Sequence, residues 1–415
     1  MTTDTIKQSP TFSRYQVFII AILAILQFSV ILDFMVLSPL GTILLPELHI
    51  TTSQFGLVVS AYAFSAGASG LLTAGFADLF DRKKMLLFFY TGFIVGTTLC
   101  AIAPSYDFLL IARIVTGIFG GVISAIGFAI ITDLFKLEVR GQVMGFVQTA
   151  FAASQILGIP IGLLLATQFN WHTPFWMIVG VATITAVVIA FYMKPVTAHL
   201  AFPSTHNPFQ HLWKTLTNSD YLKAFVTTIF LATGGYMLMP FASAFSTNNL
   251  GLTLASLPLL YGITGVFNII FGPLMGKLSD RIGKFNVFMF GSILGAIMVA
   301  IYSNLGVTPF WLVVFLNVLM FIGISSRITA SSALITAIPN PQDRGAFMSI
   351  NASVQQISGG VAASVAGMIV VQKSSGILEN YNILGYTVIG SMICALTLMY
   401  MLNAFVQQKT HSKNV

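Results

Sequence analysis

AGFADLFDRKK (residues 74–84) and GKLSDRIGK (residues 276–284) are two versions of one loop, with Asp78 matching Asp280. A second pair follows at nearly the same separation: Arg140-Gly141 in VRGQVMGF matches Arg344-Gly345 in DRGAFMSI. A repeat of this length marks a chain built from two like units. Between them lies a stretch, 194–220, that carries Pro195, Pro203 and Pro208 with His199, His206 and His211. Its histidine spacing fits no metal-ligand pattern, so it reads as a solvated linker. The division is therefore a first half at 1–193, a linker at 194–220 and a second half at 221–415.

Each copy of the loop follows a long apolar run, and composition says what those runs are. The chain has 415 residues, of which 56% are hydrophobic and 7% charged, against roughly 25% charged in a soluble domain. A soluble enzyme lacks the polar surface at this composition, and disorder demands low hydrophobicity. Runs such as 17–32 and 175–190 also far exceed the alternating ten-residue segments of a membrane β-barrel. At about 20 apolar residues per crossing, spans fall near 16–46, 54–77, 85–103, 107–133, 141–167, 174–193, 221–247, 255–277, 286–304, 310–336, 345–371 and 383–405. The expectation is an all-α membrane protein of twelve transmembrane helices in two pseudo-symmetric six-helix halves.

The net charge is +7, and 16 of the 19 basic residues fall on one side of these spans. The positive-inside bias places both termini in the cytoplasm, with the cell's inner membrane as the expected location. The apolar run after Arg14 is too long for a cleaved signal peptide and stays as the first span. Cys100 and Cys394 sit in apolar helix, where no disulfide is expected. Both halves begin on the cytoplasmic side, so they are parallel repeats, which implies a central pathway between them and alternating access by rocking.

These residues resemble the major facilitator superfamily over essentially the whole chain. The second loop fits that family's G-x-x-x-D-R-x-G-R/K pattern at Gly276, Asp280, Arg281, Gly283 and Lys284, while the first keeps Asp78, Arg82 and Lys83 with Ala74, Leu79 and Asp81 as departures. The resemblance implies a cytoplasmic latch. Asp78 is expected against the positive N-terminal end of span eleven near Gly345, a contact worth about 0.3–1 kcal/mol when exposed. Arg82 is expected to pair with Asp133, and Asp280 to meet the start of span five. Breaking these contacts favours an inward-open state. Gly158, Pro160 and Gly162 in LGIPIGLLLA are similar to the glycine-proline-glycine signature of drug- and sugar-efflux antiporters, and Arg113 with Gly117 resembles the family's R-x-x-x-G pattern in span four.

A charge at the centre of a membrane helix costs about 2.5–3.5 kcal/mol on insertion scales and survives mainly for function. Three residues qualify: Asp33 in span one, Arg113 in span four and Arg327 in span ten. The family resemblance makes spans one, four, seven and ten line the cavity, so all three charges are expected to face one aqueous space. Asp33 is the candidate proton carrier, because burial and a mobile arginine move a carboxyl group's proton affinity in opposite directions. Arg113 is its expected partner, and Arg327 is a second partner or an anchor for an anionic group. A static pair that only fixes helix packing is the alternative. Gln27, Phe34, Gln148, Gln155, Tyr236, Asn268, Asn317, Asn351, Gln355 and Gln356 are the uncharged cavity candidates. Asn351 and Gln355 share one helix face, where they either line the cavity or bond across helices.

The chain has no G-x-x-x-x-G-K-[ST] phosphate loop, no H-E-x-x-H and no selectivity-filter motif, which disfavours an ATPase, a metalloenzyme and a channel. The expected function is a proton-coupled efflux antiporter of small amphipathic molecules, not an enzyme and without a cofactor. Its expected partners are a small-molecule substrate, protons and the lipid bilayer; it is expected to act as a monomer and to bind no nucleic acid. Uptake of a nutrient or organic anion by a symporter or facilitator is the rival within transport, and a non-transporting receptor or scaffold the rival outside it.

Overall fold

A computed structural model describes residues 12–73, 80–197, 200, 208–340 and 343–414. The first half contains α1 (Arg14–Val36), α2 (Gly41–Glu47), α3 (Thr52–Thr73), α4 (Arg82–Ala101), α5 (Tyr106–Leu134), α6 (Leu137–Ala153), α7 (Ile159–Gln168) and α8 (Thr173–Tyr192). After the linker helix α9 (Pro208–Leu216), the second half contains α10 (Ser219–Leu238), α11 (Ala242–Asn248), α12 (Leu257–Ile282), α13 (Lys284–Tyr302), α14 (Phe310–Ile335), α15 (Arg344–Ile369) and α16 (Tyr381–Asn414). A two-residue antiparallel pairing, β1 (Val371–Gln372) with β2 (Leu378–Glu379), closes the turn before α16. Helices dominate because lipid offers the backbone no hydrogen-bond partners, so each span must satisfy its own.

Local chemistry sets the helix starts. Ser13 and Gln16 form a reciprocal capping box on α1, and the side chains of Asp81, Ser105 and Asn218 cap α4, α5 and α10. Arg140 donates from Nε to the Phe135 carbonyl and from Nη2 to that of Thr132, satisfying acceptors left over at the end of α5.

Eleven helical stretches among the described residues are long and apolar enough to cross a membrane. The remaining span is α15, 26 residues long but diluted by Ser, Asn and Gln. It survives in the bundle by close packing against α3 from the other half. A Cβ on Gly56 of α3 would lie 2.8 Å from the Ala363 carbonyl and 3.2 Å from Gly367 Cα, so only hydrogen fits there. Thr52 donates to the Val370 carbonyl and Ser60 to that of Gly360, tying the same seam.

Three expected spans are interrupted. Span one breaks between α1 and α2 around Pro39, and span seven breaks at a short 3-10 turn, Met239–Phe241, around Pro240. Span five is split by a π-helical turn, Ser154–Gly158, immediately before Pro160, which cannot donate to the preceding turn. The breaks in spans one and seven meet. Ser38 Oγ donates to the Met239 carbonyl, Ser243 Oγ donates to the Ser38 carbonyl at 3.2 Å, and Phe55 stands edge-on to Phe241. These contacts close the face of the bundle remote from the termini.

The described parts of the linker are packed rather than merely solvated. Lys194 N–H donates to Tyr15 Oη, and Asp81 Oδ1 accepts from Val196 N–H, so the linker's start is fixed to the first half. Helix α9 sets Leu212 and Leu216 against the second-half core around Tyr221, Phe225 and Phe347. This corrects the reading from proline and histidine content: α9 has one apolar side, which its short length conceals. His199 and His206 lie outside the described residues.

Candidate functional site

Between the halves lies a cavity of about 3180 Å3, with Ser38, Pro39, Leu238 and Met239 at its closed end and Arg140, Lys214 and Arg344 at its mouth on the termini side. All ten uncharged candidates, Gln27, Phe34, Gln148, Gln155, Tyr236, Asn268, Asn317, Asn351, Gln355 and Gln356, line it. Several of them also bond across helices. Thr228 donates to Asn351 Oδ1 at 2.7 Å, Asn268 donates to Gln155 Oε1 at 2.7 Å, and Tyr236 Oη donates to Gln356 Oε1 at 2.8 Å. Thr264 donates to Asn317 Oδ1 at 3.4 Å, and Ser124 to Gln27 Oε1 at 2.9 Å. Lining and bonding are thus not alternatives for these side chains.

The three intramembrane charges do not share that space. Arg113 Nη1 donates to Asp33 Oδ2 at 2.7 Å, Thr97 Oγ1 donates to Asp33 Oδ1 at 3.1 Å, and both charged residues are 0% exposed. Neither lines the cavity. The pair sits inside the first half among α1, α4 and α5, and aromatic side chains stand between it and the opening. Arg113 Cζ lies 4.5 Å from the Tyr62 ring centroid, Phe34 packs on Tyr62 at 5.4 Å, and Phe34 packs on Tyr236 at 5.5 Å. Phe34, Tyr62 and Tyr236 are themselves cavity-lining. Adjacent residues Asp33 and Phe34 point to different sides of α1, which puts the carboxylate behind the wall and the ring in front of it. Tyr62 was not legible as a site residue because one aromatic in an apolar span looks like any lipid-facing one.

Arg327 is separate. It lines the cavity from α14 at 6% exposure, makes no ion pair with Asp33, and leaves Nε and Nη2 without an acceptor. Its Cζ lies 5.6 Å from the Phe288 ring centroid, a favourable face for a cation. The expectation that it serves as a second partner of Asp33 is therefore corrected: the carboxylate is enclosed in the other half.

The loop residues divide likewise. Arg82 Nε meets Asp133 Oδ2 at 3.1 Å, joining the start of α4 to the end of α5. That pair is formed while the mouth is open, so it braces the first half and is not broken by opening. Asp280 and Arg281 are exposed and make no hydrogen bond or ion pair among the described residues, and Gly345 faces open space. The expected contact of Asp280 with the start of span five is not formed among the described residues. Asp78 lies outside the described residues. At the mouth, sequence reading missed a small cluster: His211 Nε2 meets Asp343 Oδ1 at 3.1 Å, and Tyr221 Oη donates to Asp343 Oδ2 at 2.7 Å. The Tyr221 bond, with His211 beside it, holds the Asp343 carboxyl below the usual carboxylate range.

In the split span five, Gly158 and Gly162 lie against Leu32 and Val36 of α1, where an added Cβ would stand 2.5 and 2.9 Å from their methyl groups. Pro160 approaches Gly262 of α12 across the interface. The signature residues thus seat span five on span one and bring it close to span eight.

Two halves of six spans around one cavity open at a single face match known proteins. The sequence model of the Major Facilitator Superfamily matches residues 23–363 and 224–414. The chain belongs to that superfamily. It is a multi-pass membrane transporter, not an enzyme. Among its relatives is the uncharacterized MFS-type transporter YceJ of Bacillus subtilis, 28% identical over 348 residues that cover 81% of this chain and 85% of YceJ. Multidrug resistance protein 3 of the same organism is 32% identical over 146 residues, covering 35% of this chain and 28% of that protein. A bacterial homolog of the human lysosomal transporter Spinster, in its inward-facing and unoccupied conformation, superposes with a TM-score of 0.69 at 15% identity, over 95% of this chain and 97% of its own. That likeness is one of fold.

Proposed function

We propose that this superfamily member is a proton-coupled efflux antiporter of small amphipathic molecules, working by alternating access in the inner membrane with both termini in the cytoplasm. The observation that carries the reading is the Asp33–Arg113 pair, fully enclosed one aromatic layer away from the cavity. A carboxylate kept from water beside a cargo space takes up or releases a proton only when the layer of Phe34, Tyr62 and Tyr236 moves. That requirement ties protonation to a conformational step, which is what coupling needs. Arg113 Nη1 sits on Asp33 Oδ2 at 2.7 Å, and a proton on Asp33 frees the arginine from its partner. With the termini cytoplasmic, the cavity opens inward, and cargo enters from the cytoplasm. The partial likeness to a multidrug resistance protein supports the efflux direction.

The test is transport in proteoliposomes under an imposed pH gradient, with an internal pH dye, for a panel of lipophilic cations, neutral antibiotics, sugars and organic anions. Wild type is expected to move protons opposite to a transported solute, and Asp33→Asn to lose that movement by tenfold or more, about 1.4 kcal/mol or greater in the coupled step. Solute equilibration without proton flux makes the protein a facilitator, and proton movement in the same direction as solute makes it a symporter.

A further inference from the structure

Arg327 is a buried cation with no counter-ion among the described residues. The sequence contains 12 acidic residues. The one placed in the middle of a membrane span, Asp33, is held by Arg113 at 2.7 Å inside the first half. Arg327 is 6% exposed in the cavity wall, with two of its nitrogens unbonded. An unbonded guanidinium at that depth is costly unless an acceptor arrives from elsewhere.

The surroundings leave room for one. On α10, a Cβ at Gly234 would stand 3.8 Å from Arg327 Nη1, and at the next residue, Gly235, a Cβ would meet nothing within 4 Å. The two glycines form a notch beside the guanidinium, and both line the cavity. The cavity that Arg327 faces has a mixed wall: Ile324, one turn before it on α14, Phe321 and Leu231 are apolar, while Asn351 and Gln355 are polar and uncharged. The approach carries the same sign. Arg140 and Arg344 line the mouth, and the donors of Arg140 go to neutral carbonyls. Asp343, the one acid lining the cavity among the described residues, is occupied by Tyr221 and His211. A cationic cargo would cross a positive mouth to reach a desolvated arginine, whereas an anion is drawn inward and finds a fork of donors matched to its two oxygens.

We propose that the cavity binds amphipathic organic monoanions, a carboxylate or similar oxyanion seated on Arg327 with its apolar body on the Leu231, Phe321 and Ile324 wall. This rests on the cavity's being the cargo site of the proposed transporter, and it narrows the substrate class. It does not rest on proton coupling.

The experiment is binding to the purified full-length protein in a nonionic detergent free of anionic lipid, by calorimetry and without a pH gradient. The probes share one skeleton: 4-phenylbutyrate, its primary amide and the corresponding amine. Wild type is expected to bind the acid about tenfold or more tighter than the amide, and the amine weakest. Arg327→Gln is expected to bring acid and amide within about twofold, while Arg327→Lys, which keeps the charge but not the fork, retains part of the preference. Equal binding of amide or amine by wild type overturns the proposal, as does an undiminished acid preference in Arg327→Gln. If Arg327→Gln fails to fold, the wild-type probe series and Arg327→Lys decide. Failure to bind any of a set of aryl and alkyl monocarboxylates also overturns it. Loss of proton coupling in liposomes with anion preference intact would instead count against antiport alone.

Discussion

Asp33 and Arg113 hold each other so tightly that removing either leaves the other stranded. Arg113 already has Nε and Nη2 unbonded, so Asp33 supplies its only full counter-charge among the described residues. Breaking a buried pair on one side costs about 3–5 kcal/mol, whereas removing both charges is far milder. Asp33→Asn and Arg113→Gln are therefore each expected to lower the thermal midpoint in detergent, and the double variant to lose less than the sum of the two. Additive losses would mean that the pair is not an energetic unit. Both residues were legible in the sequence because a charge in an apolar span has few bland explanations. Their seclusion was not, since a span's sequence does not say which way it is turned. Tyr62, Phe34 and Tyr236 acquire their screening role only through where α1, α3 and α10 are brought together.

At the scale of elements, the apolar runs located the spans well but hid their interruptions. A proline inside a long hydrophobic stretch leaves the hydropathy high, so the turns at Pro39 and Pro240 surface only in three dimensions, whereas Pro160 between its glycines marks a kink in the sequence itself and only its π-helical form does not. Helix α9 escaped notice for the opposite reason, being too short for a periodic pattern to register. Its docking supplies a measurable pH dependence. His211 of α9 and Tyr221 of α10 both meet Asp343 just before α15, and the Tyr221 bond first, with His211 beside it, sets that carboxyl below its ordinary value against the opposing pull of burial. A depressed carboxyl contributes stability above its unfolded pKa of about 3.9, and loses it as pH falls through the lower folded value. The thermal midpoint of wild type should exceed that of Asp343→Asn at neutral pH, and the gap should close below about pH 4. A gap independent of pH would mean that the carboxylate's charge is not what docks α9.

The whole molecule is closed at one face and open at the other, which makes its working cycle accessible to chemistry. Ser38 and Ser243 meet across the closed face. In a Cys394→Ala background, needed because Cys394 is exposed while Cys100 is buried, a short bis-methanethiosulfonate, which releases methanesulfinate as it forms a disulfide with each of Ser38→Cys and Ser243→Cys, should stop transport yet leave cargo binding from the open side. Transport that persists after complete bridging would show that this seam need not part. The two-half plan was readable from the paired loops, because a repeat constrains topology directly. The state of the mouth was not: Asp280, read as a loop residue, lies in the last turn of α12 and has no partner among the described residues.

Among the described residues, most hydroxyl donors across the seams between halves end on main-chain oxygens, with Ser364 on Ser60 Oγ the exception. Ser38 reaches the Met239 carbonyl, Thr52 that of Val370, and Ser243 that of Ser38. Every residue type offers the same carbonyl, so the accepting position is free to change its side chain while the donating position is not. Substitution should therefore be tolerated unevenly along these seams. Met239 and Val370 have latitude wherever packing allows it, and Thr52 has little beyond exchange with serine. Lineages of this transporter can thus remodel the lining at Met239 without rebuilding the hinge that opens and closes it.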